Sequence, residues 1–219
     1  MHFEEHYKRL EELADSLFSN GTNLDKEVLC NRIAEALLNY GYSSNTTNAV
    51  CLIYHDNGCI EVETIEHLYN TFSLRALRPQ GFIVQVSGEL IVQNTSAKMA
   101  LLELNHATAQ IADMGVPIWV NDSGEVIAID GSPVVAVFDN EIRFSQSGES
   151  VEFELAYSAT KSIKRAVTKG AIMIEELSSA KELLAIDYRG ITAIACYGEH
   201  LYMDITAERI AKRMASIEG

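Results

Sequence analysis

The chain is poor in basic residues and has no basic cluster. Its 219 residues contain 17 Lys and Arg against 31 Asp and Glu, which gives a formal net charge of -14. Proteins that bind nucleic acids need a basic surface to displace the counterions of the phosphate backbone. The segment richest in Lys and Arg, residues 161–169, alternates with apolar residues as a solvated helix face does. We therefore expect no nucleic-acid partner.

Paired cysteines and long apolar runs are missing too. The four cysteines form no CxxC pair and no histidines stand at zinc-ligand spacing, so we expect reduced thiols and no metal site. The first residues contain no apolar signal segment, and no apolar run reaches the length of a membrane span. These absences predict a cytoplasmic protein without a membrane partner.

Apolar residues make up 47% of the chain, enough for one large domain or two small ones. Close turns join four short strands between residues 117 and 144, which is the pattern of an antiparallel meander. Helical and strand-like spacing elsewhere predicts an α+β fold with a subdomain boundary near residues 93–97. The expected helices cover residues 3–18, 26–40, 99–114, 162–168 and 205–217, with a helical turn at 178–184. The expected strands outside the meander cover residues 49–54, 81–92, 172–175 and 191–197, and residues 60–77 are ambiguous.

Lys98 lies where a strand-like run ends and a helix begins, after a polar turn at residues 93–97. Apolar residues behind such a lysine can remove it partly from water. Burial disfavours the ammonium form and makes the amine available as a nucleophile, which is what a Schiff-base lysine needs. The alternative is a solvated lysine in the first turn of the helix. His106, on the same helix, is expected to pack or to be solvated rather than to react.

The order of elements around Lys98 resembles one enzyme family. Asn-Thr-Ser-Ala-Lys at residues 94–98, the helix to Gly115, and the segments 122–126 and 134–142 are similar to the core of the class IV pyridoxal-phosphate enzymes. These enzymes include branched-chain aminotransferases, D-amino acid aminotransferases and aminodeoxychorismate lyases. The first helix is similar as well, because its His-Tyr-Lys-Arg-Leu at residues 6–10 matches the family's histidine followed by Arg-Leu.

The resemblance implies a two-subdomain class IV aminotransferase-like fold in which the first strands of the small subdomain are missing. Residues 1–93 would form the small N-terminal subdomain, and residues 94–219 the large C-terminal one. Lys98 would form the internal aldimine with pyridoxal phosphate and then move the Cα proton as general base and acid. Amino groups would pass between an amino acid and a keto acid. Family members are homodimers, so a homodimer is expected.

The resemblance also implies residues that contact the cofactor. Arg9 would bind its phosphate, since the planar guanidinium gives bidentate contacts to phosphate oxygens. The family's Gly-Ile-Thr-Arg at the next helix start corresponds to residues 158–161, which makes Thr160 and Lys161 candidates. The family's Gly-Thr-Ala turn corresponds to residues 190–193, which makes Thr192 a candidate.

The acid that holds the pyridine nitrogen protonated in this family has no clear counterpart in this chain. The position is Ala128 when the sequences are aligned without a gap, and Asp130 when the turn is shifted by two residues. Without that acid, proton abstraction at Cα loses much of its driving force. Three readings therefore stay open: a class IV aminotransferase or lyase, a non-catalytic relative that keeps the fold as a binding or structural module, and an incomplete enzyme.

Overall fold

The computed structural model describes residues 2–18, 25–41, 48–55, 57–68, 70, 72–87, 95–112 and 115–218. The chain divides into two compact units, Met1–Asn70 and Thr71–Gly219, here called the first and second units. The boundary expected after residue 93 lies inside the second unit. The reason is that the strand Gln80–Gln85, placed by the prediction in the small subdomain, pairs with strands of the second unit.

The first unit contains two helices and a two-stranded antiparallel ladder. The helices are α1 (Phe3–Leu17) and α2 (Lys26–Asn39), and the strands are β1 (Asn48–Tyr54) and β2 (Ile60–Leu68). Both helices lie where apolar periodicity predicts them. The N-cap of α2 is Asp25, whose side chain accepts hydrogen bonds from the backbone N–H groups of the second and third helical residues. The ambiguous segment after residue 60 is a strand, because it finds a pairing partner in β1.

The second unit contains three α-helices and ten strands in the part that the structure describes. The helices are α3 (Ser96–Ala112), α4 (Val151–Thr160) and α5 (Ile205–Glu218). The strands are β3 (Gln80–Gln85), β4 (Val116–Val120), β5 (Val126–Ile129), β6 (Val134–Val137), β7 (Glu141–Ser145), β8 (Ala166–Gly170), β9 (Glu182–Asp187), β10 (Gly190–Ala193), β11 (Cys196–Tyr197) and β12 (His200–Leu201). They form two five-stranded sheets with the orders β10-β9-β6-β7-β8 and β12-β11-β3-β4-β5.

The two sheets are the inner layers of a four-layer arrangement. Alternate residues of β6 point to opposite sides: Val135 joins the cluster that contains α4 and α5, and Val134 joins the cluster shared with the second sheet. On the far side of the second sheet, Trp119 of β4 packs against Leu101 and Leu102 of α3. Each sheet therefore has one face against a helix layer and one against the other sheet, so its strands read as continuous apolar runs.

The predicted four-stranded meander is divided between the two sheets. β4 pairs with β5 in one sheet and β6 pairs with β7 in the other, both antiparallel. The chain passes from one sheet to the other at the two-residue turn Asp130-Gly131. Turn chemistry alone predicts a hairpin there, but it does not determine which strands share a sheet.

Three predicted elements after residue 145 were wrong. The helix expected at 162–168 is the strand β8, paired in parallel with β7, and α4 lies before it. A short 3-10 helix, Ile174–Ser178, replaces the strand expected at 172–175. The helical turn expected at 178–184 is largely β9, whose residues 182–186 are all buried. Short apolar runs buried on all sides do not reveal their period, so the sequence could not separate helix from strand here.

Gly115 illustrates how closely β3 and β4 are placed. A Cβ atom added at Gly115 would lie 1.6 Å from the carbonyl oxygen of Gln80, and a backbone atom of a paired strand cannot move aside. We expect Gly115→Ala to lower the free energy of unfolding by about 2–4 kcal/mol, measured by urea denaturation.

Gly170→Ala is the matched control, because its added Cβ would meet only the Arg143 side chain at 3.7 Å, an ordinary contact. Its expected effect is below about 1 kcal/mol. Equal losses in the two variants would contradict the proposed role of the close approach at Gly115.

Candidate active site

The N-terminus of α3 fixes the position of Lys98. Thr95 precedes the helix, and its side-chain oxygen accepts a hydrogen bond from the backbone N–H of Lys98 at 3.3 Å, as an N-cap residue does. Lys98 is therefore the third residue of α3, close to the helix start that the sequence predicted. Lys98, Leu102 and His106 follow one another at intervals of four residues and share one face of the helix.

That face of α3 lies on the turn between β5 and β6. Asp130 and Gly131 have φ angles of 52° and 72°, and Ile129 and Ser132 exchange two backbone hydrogen bonds of 2.9 Å across them. Positive φ at both central residues is the geometry of a type I′ turn, for which Asp-Gly is a favoured pair. A Cβ atom at Gly131 would lie 3.2 Å from Leu102 Cδ2 and 3.9 Å from Lys98 Cε, so the turn directly underlies Lys98.

Lys98 is half-buried, and burial lowers its pKa from the usual range to about 8. The charged ammonium group has lost part of its hydration, which favours the neutral amine. With this pKa roughly one lysine in ten carries a neutral amine at pH 7, against fewer than about one in a thousand for an exposed lysine. The reactivity that the sequence suggested for Lys98 is thus supported by its surroundings.

A chain of charged side chains continues from this turn. The two oxygens of the Asp130 carboxylate contact different basic groups: Oδ1 pairs with His106 Nε2, and Oδ2 accepts from Arg189 Nη2 at 3.2 Å. Arg189 also donates to Asp187 through Nε at 2.9 Å and Nη2 at 2.5 Å. Asp187 in turn accepts from the hydroxyl of Ser132 at 2.8 Å. We call these five residues the Asp130 network.

The surface beneath α3 is apolar. Trp119 is fully buried and Ala128 nearly so, and the two residues face each other across β4 and β5. Leu101 and Leu102 of α3 pack on them. The indole N–H of Trp119 has no hydrogen-bond partner among the described residues. The position that the ungapped alignment gives to the pyridine-nitrogen acid is therefore a small apolar residue in an apolar layer.

Asp130, the other candidate for that acid, is already bound by His106 and Arg189. A carboxylate with a cation on one oxygen and an imidazole on the other is not a free acid for a ring nitrogen. The contact that the resemblance implies for Asp130 stays a prediction, and it would require one of these two partners to be released.

The structure places Thr160 and Lys161 at the end of α4, not at a helix start. The Thr160 hydroxyl donates to the carbonyl of Ala156 at 2.6 Å, and Lys161 Nζ lies 4.3 Å from the centre of the Tyr157 ring. The C-terminal end of a helix carries the negative end of its dipole, which is unfavourable for a phosphate group. The helix start that follows β7 is instead at Val151, and its first turn already carries two acidic residues.

Thr192 lies inside a strand. Residues Gly190–Ala193 form β10, every residue of which is buried, and the turn comes before them at residues 188–189. Thr192 Oγ1 accepts a hydrogen bond from Arg75 Nη1 at 3.1 Å. The segment expected to be a phosphate-binding turn is thus a paired strand, because its backbone groups are committed to β9.

Arg9 belongs to the first unit, in the middle of α1. Its guanidinium lies 3.5 Å from the Glu12 carboxylate, an ordinary ion pair at a spacing of three residues on an exposed helix face. The role of Arg9 as a phosphate ligand stays a prediction.

Sequence reasoning missed Arg189 and the charged contact of His106. The two residues belong to elements far apart in the chain, and neither forms part of a motif. The Asp-Gly pair at residues 130–131 was the available signal, because it marks a tight turn at the edge of a sheet. It did not indicate what the Asp130 side chain contacts.

Solved structures with a similar fold are aminotransferases. A branched-chain amino acid aminotransferase from T.th., complexed with N-(5'-phosphopyridoxyl)-L-glutamate, has a TM-score of 0.77 and 14% identity over 98% of this chain and 77% of that one. A branched-chain aminotransferase of Thermoproteus uzoniensis with norvaline has a TM-score of 0.79 and 15% identity over 98% and 78% of the two chains. A hypothetical aminotransferase of Mycobacterium tuberculosis, bound to alpha-ketoglutarate and PMP, has a TM-score of 0.71 and 13% identity over 97% and 82%.

The protein therefore has the α+β fold of the class IV, or fold type IV, aminotransferases, as the sequence predicted. At this identity the likeness establishes the fold alone. No family model matches the chain, and neither does any curated protein sequence.

Two kinds of feature are absent from the described ranges. No helix there is long and apolar enough to cross a membrane. No group of three His, Cys, Asp or Glu side chains in those ranges is arranged to hold a metal ion.

The lowered pKa of Lys98 has a consequence for stability. In the unfolded chain the lysine binds its proton at higher pH than in the folded protein, so between about pH 10.5 and pH 8 the unfolded state gains stability as pH falls. We expect Lys98→Met to raise the free energy of unfolding by about 1–3 kcal/mol at pH 7. The gain should shrink towards pH 10.5.

Urea denaturation at both pH values measures this effect. The exposed Lys212, which pairs with Glu208 on α5, supplies the control Lys212→Met, for which no such pH-dependent gain is expected. A Lys98→Met variant that is destabilised equally at pH 7 and pH 10.5 would show that Lys98 is not strained by its burial.

Proposed function

We propose that Lys98 binds pyridoxal phosphate covalently and that the protein transfers amino groups between an amino acid and a keto acid. One observation carries the proposal: a half-buried lysine with its pKa lowered to about 8 stands at a helix start of the fold shared with aminotransferases. The similar structures that contain phosphopyridoxyl-glutamate or PMP support the choice of cofactor.

The residues of the second unit fit the covalent attachment. Lys98 Nζ is a nucleophile for an aldehyde carbon because a substantial fraction of it is uncharged near neutral pH. When bound, the cofactor would supply a conjugated ring that accepts the electron pair of the substrate's Cα–H bond. Lys98 Nζ is then the group in reach of this chemistry that can take and return the Cα proton.

The surroundings of the expected ring-nitrogen position favour a second candidate function. Ala128 offers no acid there, and Asp130 is held by His106 and Arg189. Electrostatic stabilisation of developing charge is usually the largest single contribution to catalysis. A protein that keeps the lysine without this acid would bind the cofactor as a non-catalytic module.

Covalent attachment is tested by adding pyridoxal phosphate to the purified protein and recording its visible absorption spectrum. We expect a new band that borohydride reduction abolishes, with a pyridoxyl group then found on Lys98 by peptide mass spectrometry. Lys98→Ala should show neither signal, whereas Lys212→Ala should behave as the wild type because Lys212 is exposed and far along the chain on α5. Reduced label on exposed lysines only, with none on Lys98, would refute the attachment.

Amino transfer is tested on the cofactor-loaded protein with amino donors. Glutamate and norvaline are the first donors to try, because similar structures contain a glutamate adduct and norvaline. We expect donor-dependent loss of the visible band and formation of the keto acid, slowed about 10²–10⁴-fold in a variant without Lys98. Stable attachment without any reaction would reject the transferase and leave the binding module.

Two implications of the resemblance stay predictions beside this proposal. Arg9→Gln would weaken cofactor binding if Arg9 holds the phosphate, and a Glu12→Gln variant controls for loss of the ion pair on α1. The expected homodimer can be measured by light scattering on the same samples.

A further inference from the structure

The Asp130 carboxylate stands next to the reactive lysine. Asp130 is the neighbour of Gly131, whose Cβ position would lie 3.9 Å from Lys98 Cε. An acid so placed would ordinarily attract the ammonium form of a lysine. Both carboxylate oxygens are occupied, however: Oδ1 by His106 Nε2 and Oδ2 by Arg189 Nη2 at 3.2 Å.

Arg189 is itself held in place by Asp187. The backbone N–H of Arg189 donates to Asp187 Oδ1 at 2.7 Å, and its Nε and Nη2 donate to Oδ2 at 2.9 and 2.5 Å. The hydroxyl of Ser132, at the other end of the Asp130-Gly131 turn, donates to the same Oδ2. The two turns are thus joined, and the guanidinium has one defined position from which it reaches Asp130.

The charged groups around the Lys98 face come from three elements of the described chain. α3 contributes His106, the turn between β5 and β6 contributes Asp130, and the turn between β9 and β10 contributes Asp187 and Arg189. β4 and β5 contribute only apolar residues. A carboxylate whose charge is balanced by an arginine stabilises a neighbouring cation less than an unpaired one does.

We propose that Arg189 is a positioning residue for Lys98: by binding Asp130 together with His106, it prevents this acid from forming an ion pair with the lysine. The inference rests on Lys98 being the reactive lysine of the proposed function and names what keeps its amine available. Arg189 acts through Asp130, not through contact with a substrate.

The experiment uses the protein without cofactor, so that it reports on the lysine alone. Competitive labelling with acetic anhydride over a pH series, followed by peptide mass spectrometry, gives the pKa of each lysine. Lys212 serves as the exposed lysine within the same sample.

Arg189→Gln is expected to raise the pKa of Lys98 by about one pH unit, and so to reduce its labelling near neutral pH about tenfold. The double variant Arg189→Gln, Asp130→Asn should return the labelling to the wild-type value, because no acid is then left to pair with the lysine. Arg189→Lys should give an intermediate value, because it keeps a cation but loses the forked contact. Lys212 should be labelled equally in all of them.

A folded Arg189→Gln protein with unchanged Lys98 labelling would overturn the proposal, and so would a double variant that labels like the single one. Circular dichroism establishes folding. If Arg189→Gln does not fold, His106→Leu takes its place, since it releases the other oxygen of Asp130 and is expected to raise the pKa of Lys98 in the same direction.

The outcome is separable from that of the proposed function. Labelling that follows the expected pattern, in a wild-type protein that does not react with pyridoxal phosphate, supports the role of Arg189 and rejects the cofactor. Attachment of pyridoxal phosphate to Lys98, with labelling that ignores Arg189, does the reverse.

Discussion

The second unit depends on the turn at Asp130 and Gly131. Two successive residues with positive φ reverse the chain within two residues and carry it from one sheet to the other. Because the turn is so short, the sheets stay close enough to share a core. The same turn is the surface on which α3 lays Lys98, so the fold and the candidate site are built on one piece of backbone.

The site places a partly desolvated lysine beside an acid and yet does not join them. Burial lowers the pKa of Lys98 to about 8, which costs folding stability but gives a reactive amine. The acid is held by an arginine and an imidazole that come from other elements. Destabilising one group for reactivity, while neighbouring charges satisfy one another, is a common arrangement at functional sites.

Fold and chemistry separate in this protein. The aminotransferase fold is present, and its lysine position is occupied by a suitable nucleophile. The positions that the resemblance links to the ring nitrogen and to the phosphate hold an alanine, a helix C-terminus and a paired strand. A shared fold constrains packing far more than it constrains the few side chains that carry a reaction.

The sequence by itself determined the α+β class, the two N-terminal helices, and Lys98 at the start of a helix, because periodicity and turn residues are local signals. Tertiary structure decided the rest. It turned residues 162–168 and 178–184 from expected helix into strand by giving them pairing partners, and it moved Thr160 and Lys161 to a helix end. It also brought Arg189 to Asp130, a contact between residues with no local relation. Long-range pairing and charge contacts leave no periodic trace in a sequence, so only the folded chain reveals them.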